Sequence, residues 1–456
     1  MARLFGTDGV RGIANVGNMS AENVLEIGRA TAQVCKNQKH ASKTARRRIV
    51  IGKDTRASGY MLENALSAGI CSMGVDVLLL GPLPTPGIAF TTMSMRADAG
   101  LVLSASHNPF EDNGIKIFGR DGFKLPDEME DEIQDLIESG RVKEFRPTSN
   151  EVGRAKRIED ASGRYNVFCK NTFPDAVSLE GLRIVLDCSN GATYKVAPVI
   201  FQELGAEVFA IHNEPDGTNI NDNCGSQHTD DLIAKVKETR ADVGLAFDGD
   251  GDRLIAVDEK GEELTGDHII AILAKHMKEQ GRLRNNRVVT TVMSNFGFLK
   301  AMEKLGIEQT QSDVGDRYVL KEMLAHDAVL GGEASGHLIC REYHNTGDGI
   351  IAALQLLRAM REQKKSLSEL SRVMSLYPQK LINVNVNDKP PLSEVKSIQE
   401  AVTAAEATLN GQGRVLIRYS GTQSMCRVMV EGPTVAMTDT LASDIARVVS
   451  KSLGGI

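Results

Sequence analysis

Ala241-Asp-Val-Gly-Leu-Ala-Phe-Asp-Gly-Asp-Gly-Asp-Arg-Leu-Ile-Ala-Val-Asp258 is two apolar runs around an acidic loop. The flanking runs read as short buried strands of an α/β core, and Glu259-Lys-Gly-Glu262 reads as a hairpin turn. Asp248, Asp250 and Asp252 are separated only by glycines. Alternate side chains share one side of an extended backbone, so the three carboxylates can aim at one point. Hard oxygen ligands of this kind select Mg²⁺, Mn²⁺ or Ca²⁺. A calcium loop of the EF-hand type is the rival reading, because Asp248, Asp250, Asp252, Ile255 and Glu259 fall at loop positions 1, 3, 5, 8 and 12. It fails where that loop needs glycine for a sharp turn and this chain has Arg253, and it fails again because the flanks are strands. An acidic surface turn that holds no metal is the plainer alternative.

A second apolar run, Asp98-Ala-Gly-Leu-Val-Leu-Ser104, leads into Ala105-Ser-His-Asn-Pro109. It predicts a buried strand ending in a polar loop, the usual place for reactive groups in α/β folds. Ser106 and His107 alone do not make a hydrolase triad, since sequence neighbours seldom point at one another. A turn in which Ser106 and Asn108 bond to nearby backbone is the alternative. A positioned hydroxyl beside a divalent-cation site suggests phosphoryl transfer.

Outward from these loops, apolar runs alternate with amphipathic stretches, the mark of α/β units. Strands are predicted at 48–53, 75–80, 98–104, 182–187, 206–211, 241–247, 287–293 and 327–330, with helices between. Boundaries are expected near Phe145-Arg-Pro-Thr-Ser-Asn150, after the strands that follow Asp252, and near Met374-Ser-Leu-Tyr-Pro378. Beyond the last, strand 380–387, a helix from about 392, strands 413–418 and 425–431 and a final helix predict a smaller α+β unit. Leu441, Ile445, Val448 and Val449 share one face of that helix. The sequence shows no internal repeat strong enough to reveal similarity among the α/β parts.

The 456-residue chain has room for three or four domains, and its 41% hydrophobic and 25% charged content is that of an ordinary globular protein. No apolar run is long enough to span a bilayer, and the opening Met1-Ala-Arg-Leu-Phe5 lacks a signal core, so a cytoplasmic protein is expected. Seven scattered cysteines without CxxC spacing read as reduced thiols, small and hydrophobic. A net charge of −7, 4% aromatics and no tryptophan argue against nucleic-acid binding and against a stacking platform. The basic run Lys36 to Arg48 reads as a solvated loop.

The chain resembles the α-D-phosphohexomutases. Their four signatures occur in family order as Ser104-Ala-Ser-His-Asn-Pro109, Asp248-Gly-Asp-Gly-Asp-Arg253, Gly332-Glu-Ala-Ser-Gly-His337 and Arg418-Tyr-Ser-Gly-Thr422. Phe5-Gly-Thr-Asp-Gly-Val-Arg-Gly12, Gly52-Lys-Asp-Thr-Arg-Ala-Ser-Gly59, Asn113-Gly-Ile-Lys116, Val314-Gly-Asp-Arg-Tyr318 and Asn345-Thr-Gly-Asp-Gly349 point to the bacterial branch that acts on glucosamine phosphates. The resemblance implies three similar α/β domains with mixed sheets and a smaller α+β domain around a central cleft. Their expected extents are 1–152 with the phosphoserine loop, 153–255 with the metal loop, 256–372 with the sugar loop and 373–456 with the phosphate loop.

It also implies roles. Ser106 is the phosphoserine and, through its phosphoryl oxygen, completes a Mg²⁺ site with Asp248, Asp250 and Asp252. Arg11, Lys116 and Arg253 stabilise moving charge, and His107, Lys116 and His337 are the candidates for proton transfer. Glu333 and Ser335 grip sugar hydroxyls, while Gly332 and Gly336 let the backbone come close. Arg418, Ser420, Gly421, Thr422 and Arg427 clamp the unreacting phosphate. The implied activity is interconversion of glucosamine 6-phosphate and glucosamine 1-phosphate through a 1,6-bisphosphate, feeding amino-sugar nucleotide and cell-wall synthesis. Phosphomannomutase or phosphoglucomutase activity is the alternative, and an inactive sugar-phosphate sensor a further one. Ser106 would gain its phosphate from a sugar bisphosphate or a kinase, and a homodimer is implied. Ala334 replaces the family's Gln or Met, and Tyr419, Gln423 and Ser424 replace Pro, Glu and Pro, which predicts a looser and more positive fourth loop.

Overall fold

The computed structural model describes residues 3–6, 8–38, 46–420 and 424–454. It forms two compact units, one built from residues up to Val292 together with Glu308–Ser371, the other from Met293–Ile307 and the chain from Arg372 on.

The first unit carries three mixed sheets. One contains β1 (Val10–Ile13), β2 (Arg48–Lys53), β3 (Asp76–Pro82), β4 (Ala99–Leu103), β5 (Asp112–Gly119) and β6 (Ala155–Arg157), in the order β1-β5-β4-β2-β3-β6. The next contains β7 (Arg183–Asp187), β8 (Glu207–Ile211), β9 (Val243–Phe247), β10 (Leu254–Asp258) and β11 (Glu263–Leu264), in the order β11-β10-β9-β7-β8. The last contains β12 (Arg287–Thr291), β13 (Glu308–Ser312), β14 (Leu330–Gly332) and β15 (Leu338–Cys340), in the order β13-β12-β14-β15. All three share one module: three parallel strands, then a fourth that turns back antiparallel beside the third. Each expected active loop of this unit is that turn, between β4 and β5, between β9 and β10, and between β14 and β15.

Central parallel strands are covered on both faces, which is why they read as unbroken apolar runs. Every residue of β4, β9 and β10 is buried. Over the first sheet, helix Ala21–Asn37, capped by the Ser20 hydroxyl, crosses helix Ser58–Ser72 closely. A Cβ on Gly28 would stand 2.8 Å from the Leu66 carbonyl oxygen.

Several strands depart from expectation. β5 lies inside a motif and was not foreseen as a strand, and β13 is the polar edge sequence Glu-Gln-Thr-Gln-Ser, in which only Ser312 is buried. β1, β6 and β15 are too short to show a period. The boundary drawn at residue 255 falls within β10, and the second sheet runs on to Leu264.

The second unit is an antiparallel sheet of β16 (Gln379–Asn385), β17 (Arg414–Tyr419) and β18 (Met425–Glu431), ordered β16-β18-β17. Helices Lys396–Leu409 and Val435–Leu453 supply Ile398, Leu409, Ile445 and Val449 to its core, with Leu441 and Val448 partly buried beside them. Glu431, fully buried, accepts hydrogen bonds from Asn295 Nδ2 at 3.0 Å, Phe296 N at 3.2 Å and Arg414 Nε at 2.5 Å. These bonds tie the short segment from Met293 into this unit.

All seven cysteines are unpaired, and five are buried. No helix among the described residues is long and apolar enough to cross a membrane. Of the basic run, residues 39–45 lie outside the described part, and Arg47 pairs with Asp98 at 3.0 Å.

Candidate active site

Ser106 takes a left-handed conformation, φ 54°, at the start of the turn after β4. That conformation is uncommon for a residue with a Cβ and has to be held by its surroundings. Here the holder is Arg56, fully buried. Its guanidinium donates to the carbonyls of Ser106 at 3.0 Å, Asn108 at 2.8 Å, Asp112 at 3.0 Å and Pro109. Asp54, also buried, accepts from Arg56 Nε at 2.8 Å and from Ser104 Oγ at 2.6 Å, and Ser104 Oγ accepts in turn from Ser106 N at 2.9 Å. Asn221, from the second sheet's connections, adds its side-chain amide to the carbonyls of Ser106 and Asn108 at 2.9 Å each. The strained turn is over-determined by donors on every side.

So held, Ser106 Oγ donates to Asp248 Oδ2 at 2.6 Å. It also lies 3.3 Å from His107 Nδ1, an approach that the left-handed turn permits and that extended neighbours would not make. Asp248, Asp250 and Asp252 bring one ligand oxygen each to within 4.8 Å of one another, and all three are buried. Thr85 Oγ1 donates to Asp250 Oδ2 at 2.6 Å and Lys116 Nζ to the same oxygen at 2.8 Å, with Asp252 Oδ2 at 3.3 Å. Asp250 Oδ1 and Asp252 Oδ1 remain buried without a hydrogen bond. Buried carboxylate oxygens without donors are costly unless a cation meets them. The donor set, three hard oxygens beside a serine hydroxyl, therefore fits Mg²⁺.

Crowding sets the charges. Burial, then Asp252 and Asp250, push the Asp248 carboxyl well above its usual range. Burial works against the Lys116 ammonium, but Asp250, Asp8 and Asp252 hold it well above its ordinary value. Burial, then the Arg253 and Arg11 cations, lower His107 to about 4 and leave it neutral near pH 7. His337 shows the reverse: burial opposes its charge, yet Asp252 and Asp316 raise it to about 9. Its Nδ1 lies 3.5 Å from Asp252 and its Nε2 3.7 Å from Asp316.

These groups open onto a cavity of about 520 Å³ whose lining includes Arg11, Ser106, His107, Arg253, Glu333 and His337. Its size suits a sugar phosphate. Glu333 accepts from Gly315 N at 2.8 Å and from Ser335 Oγ at 3.2 Å. Gly336 approaches the backbone of Leu254 where a Cβ would collide with its carbonyl oxygen, so the third sheet's loop packs directly on the second's. Gly332, at φ 159°, leaves the end of β14 against His337 and Leu338.

The structure thus brings Arg11, Ser106, His107, Lys116, the three aspartates, Arg253, Glu333, Ser335 and His337 into one neighbourhood of the first unit. In the second unit, Arg418 and Arg427 stand directly opposite on β17 and β18. Like charges facing across a ladder are unfavourable unless an anion joins them. Arg427 Nε is buried without a hydrogen bond. Ser420 N donates to Met425 O at 2.9 Å, and Tyr419, standing where the family has proline, donates its hydroxyl to the Pro390 carbonyl at 2.7 Å. Gly421, Thr422 and Gln423 lie outside the described residues.

Reasoning from the sequence alone missed Asp54, Arg56, Thr85 and Asn221, and also the Asp8–Lys124–Asp316 chain. Lys124 Nζ bridges Asp8 and Asp316 at 2.5 Å each. Asp8, Asp54, Arg56 and Asp316 all lie in family motifs, but the motifs' spacing does not show what these side chains touch.

Comparison with known proteins matches the chain to four successive domain models. Models of the phosphoglucomutase/phosphomannomutase family match residues 2–144 as alpha/beta/alpha domain I, 164–261 as domain II, 265–377 as domain III and 381–448 as the C-terminal domain. The chain is 57% identical over 454 residues to a phosphoglucosamine mutase of Syntrophus aciditrophicus and 56% identical over 454 residues to one of Syntrophobacter fumaroxidans, each alignment covering 100% of both chains. Among solved structures, a phosphoglucomutase/phosphomannomutase family protein of Burkholderia thailandensis shares the fold with a TM-score of 0.81 at 24% identity, covering 99% of this chain and 97% of that one. Aspergillus fumigatus N-acetylphosphoglucosamine mutase, solved with GlcNAc-6P and magnesium, aligns with a TM-score of 0.67 at 16% identity over 98% and 96%. Four domain models in order and full-length relatives above half identity place the chain in the phosphoglucomutase/phosphomannomutase family.

Proposed function

We propose that the chain interconverts glucosamine 6-phosphate and glucosamine 1-phosphate. The observation that carries the reading is Ser106 Oγ, 2.6 Å from Asp248 within a buried three-carboxylate cluster. The substrate comes from the full-length relatives named phosphoglucosamine mutase.

In this reading Ser106 carries the phosphoryl group, as a residue covalently loaded before the sugar binds. A sugar hydroxyl attacks that phosphorus, the Oγ–P bond breaks, and a 1,6-bisphosphate results. The bisphosphate turns over, Ser106 Oγ attacks the other phosphate, and the isomeric monophosphate leaves. Asp248, Asp250 and Asp252 would hold Mg²⁺, which when bound would supply charge neutralisation and polarise the phosphoryl group. Arg11, Arg253 and Lys116 place cations around the moving charge. His107, within reach of Ser106 Oγ, and Lys116 and His337, each beside an aspartate of the cluster, are the groups through which protons pass. Glu333 and Ser335 orient sugar hydroxyls. Arg418, Ser420, Gly421, Thr422 and Arg427 hold the distal phosphate, which fixes the far end of the sugar during turnover. Each of the four family domains contributes one loop, and the reaction serves amino-sugar nucleotide synthesis in the cytoplasm. First loading of Ser106 comes from a sugar 1,6-bisphosphate or a kinase, and a homodimer is the assembly we assign.

The test compares kcat/KM for glucosamine, glucose and mannose 6-phosphates with Mg²⁺ and a catalytic amount of sugar 1,6-bisphosphate, beside Ser106→Ala. The expected result is preference for glucosamine 6-phosphate and loss of turnover in the variant by at least about 1,000-fold, the scale of removing a covalent nucleophile. Preference for a neutral sugar would keep the chemistry and overturn the substrate, while binding without turnover would make the protein a sensor.

A further inference from the structure

Asp187 ends β7, and His212 immediately follows β8, at the carboxyl ends of adjacent parallel strands. This end of an open α/β sheet is where ligands collect. Asp187, fully buried, is fixed by two backbone donors, Ser189 N to Oδ1 at 2.8 Å and Gly225 N to Oδ2 at 2.9 Å. Each carboxylate oxygen has two lone pairs, so one on Oδ2 stays open. Facing it, His212 Nδ1 lies 3.1 Å away, within ion-pair range of that oxygen. The other ring nitrogen, Nε2, meets Asp231 Oδ2 at 3.2 Å. A metal-bound histidine usually has a carboxylate behind its second ring nitrogen, as Asp231 stands behind Nε2 here. Cys224, buried, completes the group: its sulfur and the ligand atoms of Asp187 and His212 all lie within 4.8 Å of one another.

We propose that Asp187, His212 and Cys224 form a second metal site, for a zinc-class divalent cation. Tetrahedral zinc, with bonds of about 2.0 Å to N and O and about 2.3 Å to S, needs ligand separations of about 3.3–3.6 Å. The Asp–His pair is already near that distance, and the sulfur has at most about 1.5 Å to close by that geometry. A thiolate and an imidazole select zinc over magnesium, so the site differs in kind from the all-oxygen cluster at Asp248. Three protein ligands leave a fourth position for water beside the part-exposed His212. His212 itself sits at φ 45°, in the left-handed region. A reactive-thiol role is excluded by chemistry. Burial, with Asp187 next, pushes the Cys224 thiol up to about 12.

The site's place in the fold gives it a consequence. Between its ligands runs the segment that carries Asn221, whose amide holds the Ser106 and Asn108 carbonyls and whose own N–H donates to Ser189 O at 2.9 Å. A cation joining Asp187 to Cys224 fixes both anchors of that segment.

Cobalt(II) is the probe, because its bond to sulfur absorbs in the near ultraviolet and the Asp248 cluster contains no sulfur. The full-length protein, with Mg²⁺ in excess, is titrated with Co²⁺. The expected result is a charge-transfer band saturating at one equivalent and displaced by Zn²⁺. It is lost in Cys224→Ser, weakened at least tenfold in affinity in His212→Asn, and kept in Cys188→Ser, the neighbouring thiol. Asparagine tolerates the left-handed position of His212, so that variant reads the site even if Cys224→Ser misfolds. Absence of a sulfur band at excess Co²⁺ overturns the site, as does a band that survives Cys224→Ser, is indifferent to His212→Asn, or disappears with Cys188→Ser.

Discussion

Arg56 carries a cation through the floor of the reaction site without facing the cavity. It is fully buried and reaches four carbonyls and one carboxylate, so its planar fork sets the path of residues 106–112 rather than touching substrate. Removing it leaves Asp54 as a buried charge without its partner, a situation that typically costs about 3–5 kcal/mol. Arg56→Met is therefore expected to lower urea stability by about that amount. A misplaced Ser106 turn should also cost about 100-fold in kcat, with the sugar-phosphate KM little changed. Arg56→Lys should not rescue kcat, because one ammonium cannot serve four carbonyls arranged around a fork. If both variants keep parental kcat while losing stability, Arg56 only holds the fold. None of this was legible from sequence. Gly52-Lys-Asp-Thr-Arg-Ala-Ser-Gly59 marks a family, but nothing in its spacing says that the arginine points inward to the carbonyls of a loop fifty residues away. The triad was legible because its three ligands share one short loop.

At the scale of elements, the same turn is used three times: the third parallel strand of each sheet reverses into an antiparallel fourth, and that reversal carries Ser106, then the aspartates, then Glu333 and His337. The repetition is invisible in sequence because topology repeats while residues do not. β4 is Ala-Gly-Leu-Val-Leu, β9 is Val-Gly-Leu-Ala-Phe and β14 is only Leu-Gly-Gly. The buried parallel strands β2, β4, β7 and β9 were readable from their apolar runs, whereas β14, expected at 327–330, is only Leu330–Gly332, and β13, polar at a sheet edge, gave no period to read. Loop-on-loop packing was equally hidden. A Cβ on Gly191 would run into the backbone of Gly249, and Ala192 N donates to Gly249 O at 2.8 Å, so the turn after β7 braces the metal loop from behind. Gly191→Ala should displace that loop and raise the Mg²⁺ concentration for half-maximal activity by about tenfold, the low end for losing support behind metal ligands. The sugar-phosphate KM at saturating Mg²⁺ should stay near the parental value. An unchanged Mg²⁺ requirement would show that the loop tolerates the shift.

Across the first unit as a whole, two buried titrating groups tie its three sheets' layers together and oppose one another in their response to pH. His344 donates Nε2–H to Pro86 O at 3.0 Å and accepts from Thr346 N at 3.3 Å, a pattern that only the neutral ring satisfies, and its edge packs on Phe168. Burial depresses it to about 4. The unfolded chain, titrating near 6.5, then binds the proton first, so this contribution to stability is complete above pH 6.5 and is lost as pH falls toward 4. Asp348 caps helix Gly349–Gln363 through Ile351 N at 3.0 Å and accepts from the buried Tyr165 hydroxyl at 3.0 and 3.1 Å. Burial raises it to about 7, so here the folded state binds the proton first. Its contribution is complete below pH 3.8 and is lost as pH rises toward 7. Each shift is worth about 3–4 kcal/mol at its limit, and between pH 4 and 6.5 the two slopes cancel. Replacing either residue should expose the other. Asp348→Asn should gain stability relative to the parent as pH rises from 4.5 to 6.5, and His344→Gln should lose it over the same range, read as Tm differences in matched buffers. Differences that run parallel, or stay flat for both variants, would show that these two groups keep the same protonation in the folded and unfolded chain.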